Sequence, residues 1–587
     1  MTSATQTAIR TATDCDLLVV GSGAGGLSAA VTAAELGLRV VVVEKAPVLG
    51  GTTAWSGGWM WIPRNPLAVE AGFVEDADAP RRYLHHVLGA QADPERLDAF
   101  LHQGPRMVGF FRSRTALQFI DGNAIPDFHG HAPGAAPGGR SVCAAPFDAR
   151  QLGARLADLR RPLDLVSLWG MGIAAGADLR HFLHAMRAWP SFVHAAKRVT
   201  RHLADLALHG RGQHLVAGNA LVARLLTSAL DRGVELRVSS PVRRLLREGG
   251  RVVGAVVAGA AGETELRAGR GVVLACGGFP HDVERMRTLF PHAPTGREHW
   301  SAAPPENTGD GLRLGESVGA EVRTDLPHAG AWAPVSLVPR ADGSTGHFPH
   351  LIERGKPGLI AVTRDGRRFV NEAGPYHDFM AALFSAVPAG EPVQAWLVCD
   401  HRFIRRYGLG HAKPAPMPLG PSLRSGYLRR GRDLLALAEA CGIDAAALRS
   451  TVAAFNAEAR HGRDPAFGRG ATPYNRMQGD AAQQPNPCVA PIEHGPFYAV
   501  RVVPGSLGTF AGLRTDASAR VLGSGGEPIP GLYAAGNDMA SVMGGGYPSG
   551  GITLGPAMTF GFIAGHHAAG VALPTVDPNP DSFPHAD

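Results

Sequence analysis

No run of apolar residues in this chain approaches the ~20 needed to span a bilayer. The first residues, MTSATQTAIRTATD, lack the charged-then-apolar pattern of a secretion signal. Cysteine is sparse: Cys15, Cys143, Cys276, Cys399, Cys441 and Cys488 lie far apart and form no C-x-x-C pair, as expected of structural thiols in a reducing compartment. Charge is thin as well, with 18% charged residues, a net charge of +6 and no dense Lys/Arg block. A nucleic-acid tail is therefore excluded, and the basic balance favours anionic ligands only weakly. Together these absences point to a cytoplasmic soluble enzyme.

What is present is length and glycine. A chain of 587 residues with 45% hydrophobic content exceeds one compact core, so two or more domains are expected. The 76 glycines and 45 prolines gather in motifs rather than repeats, which rules out collagen-like and low-complexity classes.

The first motif is complete in its context. CDLLVV (15–20) reads as a strand buried on both faces and runs straight into GSGAGG, where Gly21, Gly23 and Gly26 keep the G-x-G-x-x-G spacing. An Ala-rich helical stretch, LSAAVTAAELG, and a second strand ending in Glu44 follow. Glycines there let the backbone approach a pyrophosphate, the helix N-terminus supplies donors, and Glu44 accepts from ribose hydroxyls, which disfavours NADP. PVLGGTTAWSGG (47–58) adds a second loop of small hydroxylated residues, suited to a cofactor whose ribityl chain continues past the first unit. Residues 216–245 read as helix, strand and turn, and RGVVLACGGF (270–279) as a further buried strand ending in glycines. The cofactor domain is thus expected to be assembled from distant segments.

With these motifs the chain resembles the flavoprotein family of fumarate reductases and 3-ketosteroid dehydrogenases, from about Cys15 to Gly570. Within that family GTFAGLRTD (508–516) and RVLGSGGEPIPGLYAAGN are similar to the steroid dehydrogenases, whose GYPSGG-like segment matches Gly546–Gly551. The fumarate reductases fit less well: GTFAG stands where they carry an HTMGG-like segment, and RRFVNEAGPYHDF carries Tyr376 where they have a catalytic arginine. No cluster of arginines suited to clamping a dicarboxylate surrounds these motifs. The resemblance implies non-covalent FAD, because GGTTAWSGG lacks the histidine that covalent relatives use. It assigns to the cofactor Gly21, Gly23, Ala24, Gly25, Gly26, Glu44, Lys45, Gly51, Thr52, Thr53, Ser56, Gly57, Gly58, Val242, Ala275, Gly277, Gly536, Asn537, Gly551, Ile552 and Leu554, with Ile552 and Leu554 at the isoalloxazine.

It also implies a catalytic set. Tyr547 and the Gly551 N–H face a substrate carbonyl as an oxyanion-type pair. Tyr376 removes the α-proton, which needs a lowered pKa or a relay, because a phenol ordinarily titrates near pH 10. The helper tyrosine of the Δ1-dehydrogenases has no counterpart: PDFHGHAPGAAPGG (126–139) offers Phe128 or His129 instead. Ser549, in YPS, is similar to the serine of the Δ4-(5α)-dehydrogenases that joins the proton relay. Residues 152–209 read as helices with apolar stripes and Arg/His faces, and two readings stand open for them: core packing, or a basic amphipathic surface that docks on membranes.

The expected fold is α/β, a Rossmann-type FAD domain built from residues 13–299 and 488–570 with an inserted α+β catalytic domain, 300–487, and flexible tails at 1–12 and 571–587. The expected activity is dehydrogenation of a 3-ketosteroid or similar hydrophobic cyclic ketone, with electrons passed to an external acceptor such as a quinone. An enoate or fumarate-type reductase and a non-catalytic flavin electron carrier are the alternatives.

Overall fold

A computed structural model describes residues 15–573 together with Arg10 and Thr11. The expected strand Cys15–Val20 forms, and five of its six residues, all but Asp16, are buried hydrophobics. It lies inside a parallel sheet. Val19 stands opposite Val42 of Val40–Val43 on one side and Val273 of Gly262–Leu274 on the other. Val42 in turn faces Leu236, and Val273 faces Tyr533 of Pro528–Ala534. Segments more than 500 residues apart in sequence therefore close one cofactor-type sheet. The strand Gly262–Leu274 does double duty. Its first half pairs antiparallel with Arg251–Gly259, and its second half, after an irregularity between Ala268 and Gly271, joins the parallel core.

The helix Ala24–Glu35 is Ala/Gly-rich for a packing reason. It lies against Leu554–Ala569 so closely that a Cβ on Gly561 would sit 2.4 Å from the Gly25 carbonyl oxygen. The Ser28 hydroxyl donates to the Met558 carbonyl at 2.6 Å across the same seam. The first and last helices of the domain are thus locked together beside the glycine turn.

A second sheet has the order Thr345–Pro349, Gly330–Pro339, Phe497–Thr509, Ala395–Cys399, Leu359–Val362. The long strand Phe497–Thr509 pairs antiparallel with both Gly330–Pro339 and Ala395–Cys399. Backbone pairing therefore carries the inserted unit past the expected boundary at Cys488, and the chain re-enters the first sheet only with Arg520–Leu522 and Pro528–Ala534. Of the expected flexible tails, Arg10–Thr11 pair in parallel with Gly262–Leu274, and 1–9, 12–14 and 574–587 lie outside the described residues.

Residues 152–209 do form helices, including Ala177–Leu183 and Trp189–His209. Core packing holds for Leu152, Leu159, Leu163 and Leu165, whereas the apolar face of Trp189–His209 is left largely open. Trp189 is 75% and Leu208 76% exposed, with Phe192, Val193 and Leu203 exposed beside them. The stripe that reads as a core face stays at the surface. No helix among the described residues is long and apolar enough to cross a membrane.

Candidate active site

A cavity of about 1030 Å³ runs between the two sheets. One end is walled by the glycine turn (Gly21, Gly23, Ala24, Gly25), Glu44 and Lys45; the wall continues through Gly51, Thr52, Thr53, Ser56, Gly57, Gly58, Val242, Ala275 and Gly277 to Gly536, Asn537, Gly551 and Leu554. Gly21 has φ +107, and a Cβ there would lie 2.2 Å from the Ala275 carbonyl oxygen, so only glycine lets the two strand ends meet under the turn. Thr53 accepts from the Ala24 N–H at 2.9 Å and so fastens the hydroxylated loop to the helix N-terminus.

Glu44 braces the turn as well as facing the cavity. One carboxylate oxygen accepts from the Ser22 N–H (3.1 Å) and the Ser22 hydroxyl (2.6 Å), the other from the Ala46 N–H (2.9 Å). Of roughly four acceptor positions on a carboxylate, about one remains for a ribose hydroxyl. Lys45 reaches away: its ammonium donates to Thr308 Oγ1 (2.7 Å) and Asp310 Oδ2 (2.5 Å). Asp538, which sequence reading passed over, lies under the second glycine loop and accepts from the Cys276 (2.5 Å) and Gly278 (2.9 Å) N–H groups.

Two of the expected cofactor residues do not line the cavity. Gly26 packs against the Gly21 carbonyl oxygen, 2.0 Å from where its Cβ would be. Ile552 is 1% exposed and joins the core, and Thr553 faces the cavity in its place.

The other end of the cavity is aromatic. Tyr376 and Tyr547 meet edge to face with 4.9 Å between ring centroids, close enough for each phenol to act on the other's acidity. Phe128 stacks on Tyr547 (5.7 Å, 10°) and meets Tyr376 edge-on (5.5 Å, 82°). A third phenol, Tyr474, packs 4.4 Å from Phe128 and accepts from Gln478 Nε2 at 2.7 Å. Phe128 is held there by its N–H to the Pro548 carbonyl (3.0 Å), which also accepts from the Tyr83 hydroxyl (2.5 Å). His129 turns away, 3.6 Å from Asp378. Gly551 has φ +101, with the Trp59 carbonyl oxygen 2.7 Å from where a Cβ would stand, so the loop passes the β-strand Trp59–Trp61 at backbone contact.

Ser549 does not belong to this constellation. Its side chain is 1% exposed, its hydroxyl has no hydrogen-bond partner among the described residues, and it does not line the cavity. The proline before it fixes the turn, and the hydroxyl points into the protein.

Electrostatics sharpen the assignment. Burial pushes the Tyr547 phenol up to about 12, moderated by the neighbouring Tyr376. Tyr376 is driven well above the ordinary range, by burial first and by Tyr547 second. Tyr474 sits at about 12, again through burial. Opposing these shifts is the buried Arg354 guanidinium, whose charge lowers both Tyr376 and Tyr474. Arg354 also donates to the His350 (2.8 Å), Glu372 (2.9 Å) and Gly374 (3.4 Å) carbonyls, gripping the turn that presents Tyr376. The glutamate of RRFVNE is structural. Glu372 is fully buried between Arg368 (2.6 Å) and Arg469 (3.1 Å) and accepts from the Ala361 N–H (3.0 Å).

An elongated cavity with a glycine turn, a facing carboxylate and a second glycine loop at one end fits FAD, and comparison with known proteins agrees. The FAD binding domain family model matches residues 16–554. The chain belongs to this FAD-binding flavoprotein family and is an FAD-dependent oxidoreductase. A 4-oxocyclohex-2-ene-1-carboxylate 5-dehydrogenase of Sinomonas cyclohexanicum is 40% identical, over 95% of this chain and 94% of its own. A 3-oxosteroid 1-dehydrogenase of Mycobacterium tuberculosis is 39% identical, over 95% and 99%. The crystal structure of 3-ketosteroid Δ1-dehydrogenase from Sterolibacterium denitrificans with 1,4-androstadiene-3,17-dione superposes with a TM-score of 0.87 at 38% identity, covering 95% of this chain and all of that one.

Proposed function

We propose that the protein dehydrogenates a saturated bond next to the ketone of a 3-ketosteroid or a smaller cyclic ketone. The observation that carries this reading is the Tyr376–Tyr547 pair at the aromatic end of the FAD-type cavity. Tyr547 and the Gly551 N–H polarise the ketone oxygen and hold the charge that develops there. Tyr376 takes the proton from the adjacent carbon, and both phenols make contact with the substrate as it enters. FAD, when bound, would supply the hydride acceptor for the neighbouring carbon.

Both phenols are pushed up by burial, so the proton taken by Tyr376 has to leave through other groups. Tyr474 and Arg354 fill the place of the missing helper tyrosine: the first is a phenol across Phe128, the second a fixed positive charge. The packed aromatic floor excludes water from the reacting carbons. FAD is held without a covalent bond, since the loop 50–58 offers neither histidine nor cysteine. Electrons leave to an external acceptor such as a quinone. The exposed apolar residues of Trp189–His209 support peripheral contact with a lipid surface.

The direct test is anaerobic mixing of the yellow holoprotein with saturated and Δ4 3-ketosteroids and with cyclohexanone derivatives, followed by product NMR. Bleaching of the flavin with formation of a conjugated enone is expected. A flavin that no cyclic ketone reduces, but that fumarate reoxidises after chemical reduction, overturns the reading.

A further inference from the structure

Lysine is the rarest charged residue of the chain: Lys45, Lys197, Lys356 and Lys413 are all it has. Lys45 is spent on Asp310. Lys356 is placed differently. It lies on the cavity wall that also holds Tyr474, and the same side chain borders a second apolar chamber of about 910 Å³. The two chambers share the wall at Leu351, Ile352, Lys356 and Tyr407.

The Lys356 ammonium donates to one acceptor, the Gly479 carbonyl oxygen at 2.6 Å. An ammonium has three donors. Among the described residues no carboxylate pairs with it. The acid that acts on it most, Asp480, is already taken by Arg406 and by the Tyr407 hydroxyl at 2.7 Å. Arg160, another cation of the cavity, is spent on Glu306 at 3.1 Å. Lys356 thus presents donors and positive charge at the junction of the two chambers, with no carboxylate paired to it among the described residues.

Its position relative to the reacting end follows from one short helix. Pro473–Gln478 carries Tyr474 near its start, and Gly479, the residue that fixes Lys356, follows its last residue. Tyr474 and Gly479 are five positions apart, about 7.5 Å of backbone rise at 1.5 Å per residue, so the backbone that anchors Lys356 lies further along the wall than the backbone that presents Tyr474. A ketone seated at Tyr547 would then have its remote end toward Lys356.

We propose that Lys356 recognises a carboxylate at the end of the substrate remote from the ketone, so that the preferred substrate is a cyclic keto acid long enough to reach the junction of the two chambers. This rests on the cyclic-ketone reading above and narrows its substrate class. Burial holds the lysine below its ordinary range, a cost that a bound carboxylate offsets. The recognition differs from that of a dicarboxylate clamp: one ammonium gives charge without bidentate geometry.

The test compares a 3-oxosteroid carrying a side-chain carboxylate, and the single-ring 4-oxocyclohexanecarboxylate, each against its methyl ester. Wild-type holoenzyme is expected to prefer at least one acid over its ester in kcat/KM, mainly through KM. Lys356→Met should collapse that acid-to-ester ratio by about 10- to 100-fold, the range for losing one charge-assisted hydrogen bond in a site of this kind. Lys356→Arg should restore part of it. FAD content and turnover of the esters report whether the variant folds. Esters preferred or equal in both pairs, or a Lys356→Met loss that is the same for acid and ester, overturns the assignment while leaving the dehydrogenase reading intact. If no ketone, acid or ester, reduces the flavin, the dehydrogenase reading itself has failed.

Discussion

Tyr376 and Tyr547 come from segments 171 residues apart, yet their rings meet edge to face with 4.9 Å between centroids. The pair is asymmetric. Tyr376 lowers Tyr547 and is itself raised by it, so Tyr547 is the more acidic phenol while the site is free of substrate. A ketone oxygen that accepts from Tyr547 uncouples the two.

Tyr547→Phe removes one hydroxyl and little volume. One oxyanion donor contributes on the order of 10²–10³ in rate, about 3–4 kcal/mol of transition-state stabilisation. A loss of kcat of that size is expected, with FAD content unchanged. Stopped-flow reduction of the flavin by the best ketone measures it, and full activity would remove Tyr547 from the carbonyl site.

Tyr376→Phe should be at least as damaging as Tyr547→Phe, because no other group replaces the base. Tyr474→Phe should be milder in rate and distinct in kind. A base with a raised pKa works better as pH rises, so the wild-type flavin-reduction rate should climb with pH through the neutral range. Losing Tyr474 removes the outlet next to Arg354, and the climb should move to higher pH. A Tyr474→Phe profile superimposable on wild type would make Tyr474 a packing residue only.

Much of this was legible in the chain because it rests on local rules. The buried strand, glycine turn and Ala-rich helix are contiguous, and Glu44 follows at the expected spacing. Tyr547 announces itself among glycines. Tyr474, Arg354, Asp538 and Lys356 carry no local signal, since each acts on residues brought near only by the inserted sheet or by the return of the chain. The boundary at Cys488 failed for a related reason: Phe497–Thr509 is apolar and extended like a cofactor-domain strand, and only its pairing partners reveal its sheet. Trp189–His209 misleads in the other direction, because periodicity shows that a helix has an apolar face and not what covers it.

Glu44→Ala should purify with less FAD than wild type and lose the remainder on dialysis. Two causes add: the ribose loses an acceptor, and Ser22 and Ala46 lose the carboxylate that shapes the turn. Glu44→Gln keeps one oxygen acceptor and should fall between the two. The ratio of flavin to protein absorbance measures this, and full loading of the alanine variant would show that the carboxylate is dispensable.

Acid should destabilise the fold through buried histidines. His292 is held at about 4 by burial, stacks on Phe384 at 4.3 Å and faces His299, itself well below the ordinary range. The unfolded chain titrates these groups near pH 6.5, so below that pH it binds protons that the folded state refuses. Stability is intact above pH 6.5, falls as pH drops toward 4, and His292 alone accounts for about 3 kcal/mol of the loss. Urea unfolding at pH 7.5 and pH 4.5 measures the difference, and His292→Gln should shrink it. Equal stability at the two pH values would contradict a neutral buried pair.

Ser549→Ala separates the two steroid-dehydrogenase patterns that the YPS segment leaves open. A relay serine must bond a reacting group or the tyrosine beside it. The Ser549 hydroxyl is buried with no partner among the described residues and faces away from the cavity. A buried hydroxyl that makes no hydrogen bond costs about 1–3 kcal/mol, so its removal should leave the protein as stable or slightly more so. Flavin-reduction rates within about twofold of wild type are expected, with an unchanged pH profile. A drop of tenfold or more on a saturated 3-ketosteroid, at full FAD loading, would put the serine back into proton transfer. It would also require the Pro548–Ser549 turn to rearrange when substrate binds.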